Sequence, residues 1–265
     1  MDTQTALQSY MEFATETAYL AGRSTLGYFQ RGVRLDYKPD DTPVTAADRQ
    51  AEDLIRTRIG QYYPSHAILG EELGLSGPAG ASHRWIIDPI DGTKSFSRGV
   101  PLYGVLIGLE IDGQVQVGAA YFPALDEMLA AATGLGCWWN GRRSRVSPAE
   151  GLERAIVAFT DAASFARYGR SAAWERIQRA TYFRAGWSDA YGYLLVATGR
   201  IELMLDPIMS IWDCGPFPPI LREAGGYFGD WNGNPIIHGN EGLATTLTLL
   251  PQVLALIEGR DEAVN

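Results

Sequence analysis

Apolar positions in the first thirty residues recur at Leu7, Met11, Ala14, Ala18 and Ala21, with Glu12, Glu16 and Arg23 on other faces. That spacing predicts an amphipathic helix. The periodicity then stops. Residues 31–45, RGVRLDYKPDDTPVT, combine two prolines with a charge cluster and predict an exposed, mobile loop. Thr45 is placed to cap a second helix over about residues 46–60, with Asp48 in its first turn, where a carboxylate suits the helix dipole.

From His66 the pattern changes to short apolar runs ended by acids, AILGEE and RWIIDPIDGTKSF, which predict buried strands. Alternating runs follow around Asp112-Gly113 and again around Asn140-Gly141, both strong hairpin signals, so the middle of the chain reads as an antiparallel meander. The remainder alternates: strand AIVAFT, a helix over about 165–179, helix WSDAYGYLLVATG, strand IELMLD, one helix through DCGPFPPILREAGG, a strand, and a last helix near PQVLALIEG. One layered unit of two α/β halves, about 1–150 and 151–265, is predicted around a cleft.

The chain has 265 residues, enough to bury a substantial core. A net charge of −9 argues against nucleic acid or an anionic membrane as partner, since both need a basic surface. A small phosphate ester remains compatible, because divalent cations between carboxylate and ligand reverse the local field. Cys137 and Cys214 lie far apart without CxxC or Cys/His spacing, which predicts neither a disulfide framework nor structural zinc and fits a reducing cytoplasm. No signal-peptide pattern or membrane-length apolar stretch is read in the sequence.

The candidate chemistry lies where acids end these runs: Gly70-Glu71-Glu72, then Asp88-Pro89-Ile90-Asp91-Gly92-Thr93, then Trp212-Asp213. The apolar run brings Asp88 to a strand end, Pro89 stops the ladder, and Asp91 follows after a turn short enough for both carboxylates to face one point. Two carboxylates so close stay ionised together only with a cation between them. Glu71 offers a third carboxylate and the Ile90 carbonyl a neutral oxygen, and an all-oxygen set favours Mg²⁺ or Mn²⁺ over zinc. The amides of Gly92 and Thr93, opening a short helix through TKSF, form a candidate phosphate cradle. Singly, each piece is a common turn or strand end; order and spacing together carry the weight.

The combination GEE, DPIDGT, WD and EAGG resembles the inositol monophosphatase family of Mg²⁺-dependent phosphatases. TPVTAAD, the hairpin region and WSDAYGYLLVATG fall in family order, so the resemblance spans almost the whole chain. It implies an α/β fold, a layered αβαβα sandwich with an antiparallel sheet and a second smaller sheet, and a homodimer. It also implies that Glu71, Asp88 and the Ile90 carbonyl bind one Mg²⁺, that Asp88, Asp91 and Asp213 bind a second, and that a weaker third leans on Glu71. The reaction so implied is hydrolysis of a small phosphate ester by metal-activated water. The resemblance further implies that Thr93 and Asp48 form a hydroxyl-carboxylate pair that orients and deprotonates this water, with Glu71 assisting; the alternative for Asp48 is simple helix capping.

Asp206 stands where inositol phosphatases of the family carry a glutamate toward the polyol. The stretch from RAGWSDAYG to REAGG, followed by DWNGNPIIHG, is more similar to the family's histidinol-phosphate phosphatases. Histidinol phosphate bears an amine and an imidazole, so Asp206 and Asp189, with Asp91 beside them, are the expected substrate contacts; the alternative for Asp189 is capping of the next helix. Competing readings are an inositol-1-phosphate, fructose-1,6-bisphosphate or 3′-phosphonucleotide phosphatase, or a catalytically silent metal- or phosphate-binding regulator.

Overall fold

The computed structural model describes residues 2–32, 35–37, 43–186 and 188–260. Helix α1 (Thr3–Thr25) is followed by β1 (Asp36–Tyr37) and β2 (Pro43–Val44), which pair antiparallel, and by α2 (Ala46–Tyr62). The predicted loop 31–45 thus contains a short strand pair; residues 33–34 and 38–42 lie outside the described residues, as does Trp187 in the segment WSDAYGYLLVATG expected as a helix. Next come β3 (Ala67–Gly70), β4 (Gly74–Ser76), β5 (His83–Asp91), α3 (Thr93–Ser97), β6 (Gly104–Ile111), β7 (Gln114–Phe122), β8 (Glu127–Ala132), β9 (Gly136–Trp139) and β10 (Arg142–Arg143). Their sheet runs β10-β9-β8-β7-β6-β5-β3-β4, antiparallel except where β3 lies parallel to β5.

The second sheet is built from β11 (Ile156–Ala158), α4 (Ala162–Arg167), α5 (Ser171–Ala180), β12 (Phe183–Ala185), α6 (Asp189–Ala197), β13 (Leu203–Asp206), α7 (Ile211–Cys214), α8 (Phe217–Ala224), β14 (Gly226–Gly229), β15 (Gly242–Thr246) and α9 (Leu250–Glu258). Its order is β12-β11-β13-β15-β14, with β11 parallel to both neighbours. Three cores separate the layers. Leu7, Met11 and Ile55 of α1 and α2 cover one face of the large sheet through Trp85, Ile87 and Val117. Ile86 and Leu106 on its other face meet Tyr193, Phe217 and Ile220 of α6 and α8, which also cover Met204 and Ala244 of the small sheet. Val157, Leu203 and Leu243 then face Trp174, Ile177 and Val253 of α5 and α9. The result is helix, sheet, helix, sheet, helix, and it explains why the β5 segment reads as a short apolar run. Strand β6, expected to alternate, is instead buried on both faces from Gly104 to Glu110, because helices cover the sheet on either side.

Three local expectations change. Pro89 does not end the ladder: β5 continues to Asp91 across a register shift between Asp88 and Asp91, because a bulge accommodates the residue that lacks an N–H. The helix expected over 165–179 is divided into α4 and α5 at Gly169, whose φ of 73° is left-handed. The helix expected through DCGPFPPILREAGG is likewise two; Pro218 and Pro219 stand in the first turn of α8, where the missing N–H groups have no intrahelical acceptor to lose.

Candidate active site

The register shift in β5 turns Asp88 and Asp91 toward one point at the mouth between the halves, and α7 brings Asp213 from the opposite side. One carboxylate oxygen of each lies within 4.8 Å of the others. Asp213 reaches so far because Gly108 and Gly118 leave no side chain in the way: a Cβ on either would collide with the backbone of Gly215 or Pro216, so the chain after Asp213 rests directly on the large sheet. The Ser210 amide donates to Asp213 Oδ2 at 2.7 Å and the Ile90 amide to Asp88 Oδ1 at 3.0 Å, fixing both side chains from their own turns.

Asp48 serves two neighbours at once. Its Oδ2 accepts from the Thr45 amide at 2.8 Å and the Thr45 hydroxyl at 2.6 Å, the capping box of α2, while its Oδ1 faces the Thr93 hydroxyl at 3.4 Å. The capping alternative and the pairing with Thr93 therefore hold together in one carboxylate. The Thr93 hydroxyl also donates to the Ile90 carbonyl at 3.1 Å. Gly92, at φ 80°, heads α3 in a left-handed conformation that turns the chain from β5 into the helix.

Asp189 does not cap α6 in the way one alternative expected. Its carboxylate accepts from the Ser95 hydroxyl at 2.8 Å, and the cap on α6 comes from the other half, where Asp91 Oδ1 accepts from the Ala190 amide at 2.8 Å. Asp206, at the end of β13, accepts from the Thr160 amide at 3.2 Å and the Tyr193 hydroxyl at 3.1 Å. Ser95, Tyr193 and the Ala190 amide were not singled out in the sequence. Tyr193 stands one helical turn after Asp189, a spacing that could have flagged it.

A cavity of about 510 Å³ opens beside the acid triad, lined by Asp91, Asp189, Asp206 and Asp213, with Tyr193 and Tyr168 among its walls. Its acids hold their protons more tightly than ordinary carboxyls. Burial raises Asp88 well above the usual range, reinforced by Glu71, Asp91, Asp213 and Asp48. Burial likewise raises Asp91, with the charges of Asp189 and Asp213, against the Ala190 amide. Asp213 is pushed to about 7 by burial, with Glu71 and Asp206 adding and the Ser210 amide opposing. Asp206 also reaches about 7, mainly through burial. Asp48 rises to about 6 through burial and Glu71, against the hydrogen bonds from Thr45. Burial raises Asp189 too, opposed by Ser95 and Lys94.

This set fits a divalent cation: the donors are all oxygen, they converge, and their shared difficulty in ionising is what a cation between them relieves. Glu71 lies outside the 4.8 Å triad but near enough for its charge to raise Asp48, Asp88 and Asp213.

Comparison with known proteins agrees with this architecture. Residues 6–260 match the model of the inositol monophosphatase family. The chain is 42% identical over 253 residues to a histidinol-phosphatase of Chlorobaculum parvum, covering 95% of this chain and 97% of that one. A histidinol-phosphatase of Mycobacterium tuberculosis is 36% identical, covering 84% and 87%. Among solved structures, an inositol monophosphatase from Anabaena superposes with a TM-score of 0.85 at 30% identity, covering 96% and 97%. With the layered sheets, the acid-lined mouth and a family match over nearly its full length, the chain belongs to the inositol monophosphatase family of phosphoric monoester hydrolases.

Proposed function

We propose that the chain hydrolyses histidinol phosphate to histidinol and phosphate, with Mg²⁺ as its cofactor and a role in histidine biosynthesis. The observation that carries this reading is the acidic lining of the cavity beside the triad, where Asp91, Asp161, Asp189, Asp206 and Asp213 outnumber Lys94 and Arg167. Asp189 and Asp206 line it on the side where a leaving group would sit, and buried carboxylates suit an ammonium or imidazolium better than an uncharged polyol. The names of the two histidinol-phosphatase relatives support the same substrate.

In this reading Glu71, Asp88 and the Ile90 carbonyl would hold one ion, and Asp88, Asp91 and Asp213 another. When bound there, a divalent cation supplies Lewis acidity that makes water nucleophilic and stabilises the leaving oxygen. Thr93 orients the attacking water through its hydroxyl, Asp48 takes its proton and Glu71 assists. The amides of Gly92 and Thr93 hold the phosphate, and Asp206 and Asp189 orient the amine and imidazole. Asp48 suits a base because burial raises it to about 6, closer to neutrality than an exposed carboxyl.

The same reading includes a cytoplasmic homodimer. Strand β12 is an edge of the small sheet with Tyr182 and Phe183 exposed, a surface that a second copy would cover. Both cysteines are buried thiols, in keeping with a reducing compartment. No described helix is long and apolar enough to cross a membrane.

The decisive experiment compares Mg²⁺-dependent phosphate release from histidinol phosphate, inositol 1-phosphate, fructose 1,6-bisphosphate and 3′-phosphoadenosine 5′-phosphate. A kcat/KM for histidinol phosphate about tenfold or more above the others is expected. A preference for inositol 1-phosphate would keep the chemistry and overturn the substrate.

A further inference from the structure

Glu52 is a carboxylate with no solvent exposure, one turn along α2 from Asp48. Burying a charge is costly unless its hydrogen bonds to water are replaced in full. Here they are replaced in a telling way. Oε2 accepts from the Glu72 amide at 2.8 Å, and Oε1 from the Leu73 amide at 3.0 Å and from Arg56 Nε at 2.7 Å. Arg56 continues to the Gly74 carbonyl at 2.5 Å and the Ser76 hydroxyl at 2.7 Å, across the rest of the turn and into β4. The clasp leaves no room at its base, since a Cβ on Gly70 would collide with the Glu52 carboxylate.

The segment so clasped is the one that carries Glu71. On its other flank the Glu71 amide donates to the Ile87 carbonyl at 3.3 Å, next to Asp88. The backbone at Glu71 is therefore pinned between β5, which bears Asp88 and Asp91, and α2, whose first turn bears Asp48. An apolar side chain at position 52 could fill the same interior at lower desolvation cost but could not hold two successive amides in register.

We propose that Glu52 is a positioning residue for Glu71, joining the Glu71 turn to the helix that carries Asp48 so that both acids keep a fixed separation from Asp88. This rests on the reading of Glu71 as a metal ligand. Glu52 touches neither ion nor substrate in this scheme; its effect passes through the backbone it holds.

The test measures Mg²⁺ binding by titration calorimetry on metal-stripped protein, for the wild type, Glu52→Gln, Glu71→Gln and the double variant, with thermal unfolding of each. Glutamine keeps the shape but replaces one acceptor with a donor facing an amide. Glu52→Gln is expected to weaken Mg²⁺ binding by about tenfold or more, the range for partners that orient a metal ligand. Added to Glu71→Gln, it should weaken binding little further. A Glu52→Gln protein that is less stable yet binds Mg²⁺ as the wild type does would overturn the proposal, as would a loss that adds in full in the double variant. If Glu71→Gln itself bound Mg²⁺ normally, the ligand reading of Glu71 would fall and the proposal with it. Should Glu52→Gln not fold, Gly70→Ala displaces the same clasp without removing its charge and is expected to weaken Mg²⁺ binding too; unchanged binding there would refute the idea.

Discussion

The two halves of the molecule bring different things to one mouth. The large-sheet half delivers Asp48, Glu71, Asp88, Asp91 and Thr93 from long strands buried on both faces and a capped helix. The small-sheet half delivers Asp189, Asp206 and the cavity wall from short elements such as α4 and the start of α6. Asp213 crosses between them on α7. Under the proposed function, the contrast teaches that most of the charges that would hold the ions and the wall that would meet the leaving group sit on separate supports, so one can vary while the other is held.

The sharpest way to break this division is Asp91→Asn. The amide keeps an oxygen for the Ala190 N–H but removes one charge from the triad. Turnover should fall by roughly a hundredfold or more, as when a group that stabilises transition-state charge is lost. Thermal stability should hold or rise, because the empty cluster repels itself. Steady-state phosphate release alongside a melting curve checks both, and retained turnover would remove Asp91 from the machinery.

Asp206→Asn probes the other half. The isosteric amide preserves an acceptor for the Thr160 amide while deleting the charge at the cavity wall. KM for histidinol phosphate should rise by about tenfold with kcat nearly unchanged, since the proposed contact would be made in ground and transition state alike. A fall in kcat alone would transfer Asp206 to the reacting centre and blur the division between halves.

Much of the large-sheet half was legible because its signals are local. Asp88, Asp91, Gly92 and Thr93 are near neighbours in sequence. Asp112-Gly113 and Asn140-Gly141 both adopt the paired positive φ angles that the dipeptides favour, at 49° and 81° and at 45° and 75°. The small-sheet half was less readable. Ser95 with Asp189 and Asp91 with the Ala190 amide join residues 94 and 99 positions apart, and no local pattern specifies such meetings before the topology is known. The division of α4 from α5 failed for a different reason: apolar spacing runs straight through Gly169, and only its left-handed backbone marks the break. Glu52 was not singled out in the sequence, because nothing in the periodicity of a polar helix segment distinguishes a buried clasp from a solvated face.

Metal-free stability should separate the acids of the mouth from acids elsewhere. Asp48 at about 6, and Asp206 and Asp213 at about 7, titrate above their unfolded values, so each stabilises the fold while protonated. That contribution is complete below about pH 4 and is lost as pH rises through 6 and 7. Asp230 and Glu127 behave oppositely. Asn234 and Asn232 hold Asp230 below the usual carboxyl range, and Arg200, Tyr191 and Trp139 do the same for Glu127, each against the effect of burial. Their contribution is lost only on the acid side. Melting curves of stripped protein should therefore decline between about pH 4 and pH 7, and saturating Mg²⁺ should flatten that decline. The same slope with and without Mg²⁺ would show that the ion does not sit among these carboxylates.

The smallest effect is expected at Gly113, in the tight turn joining β6 to β7. A Cβ there meets nothing within 4 Å, so Gly113→Ala tests backbone strain without a steric collision. At φ 81° an alanine costs about 1 kcal/mol, because its Cβ crowds the following carbonyl in the left-handed region. The turn belongs to the large-sheet half but carries none of its acids, and β6 and β7 are held along their lengths by neighbouring strands. The variant should melt a few degrees lower and keep both kcat and KM. A change in KM would mean that strain in this hairpin reaches the mouth, most directly through β6 and the Gly108 contact that seats the chain after Asp213, and the large sheet would then be less rigid a support than its burial implies.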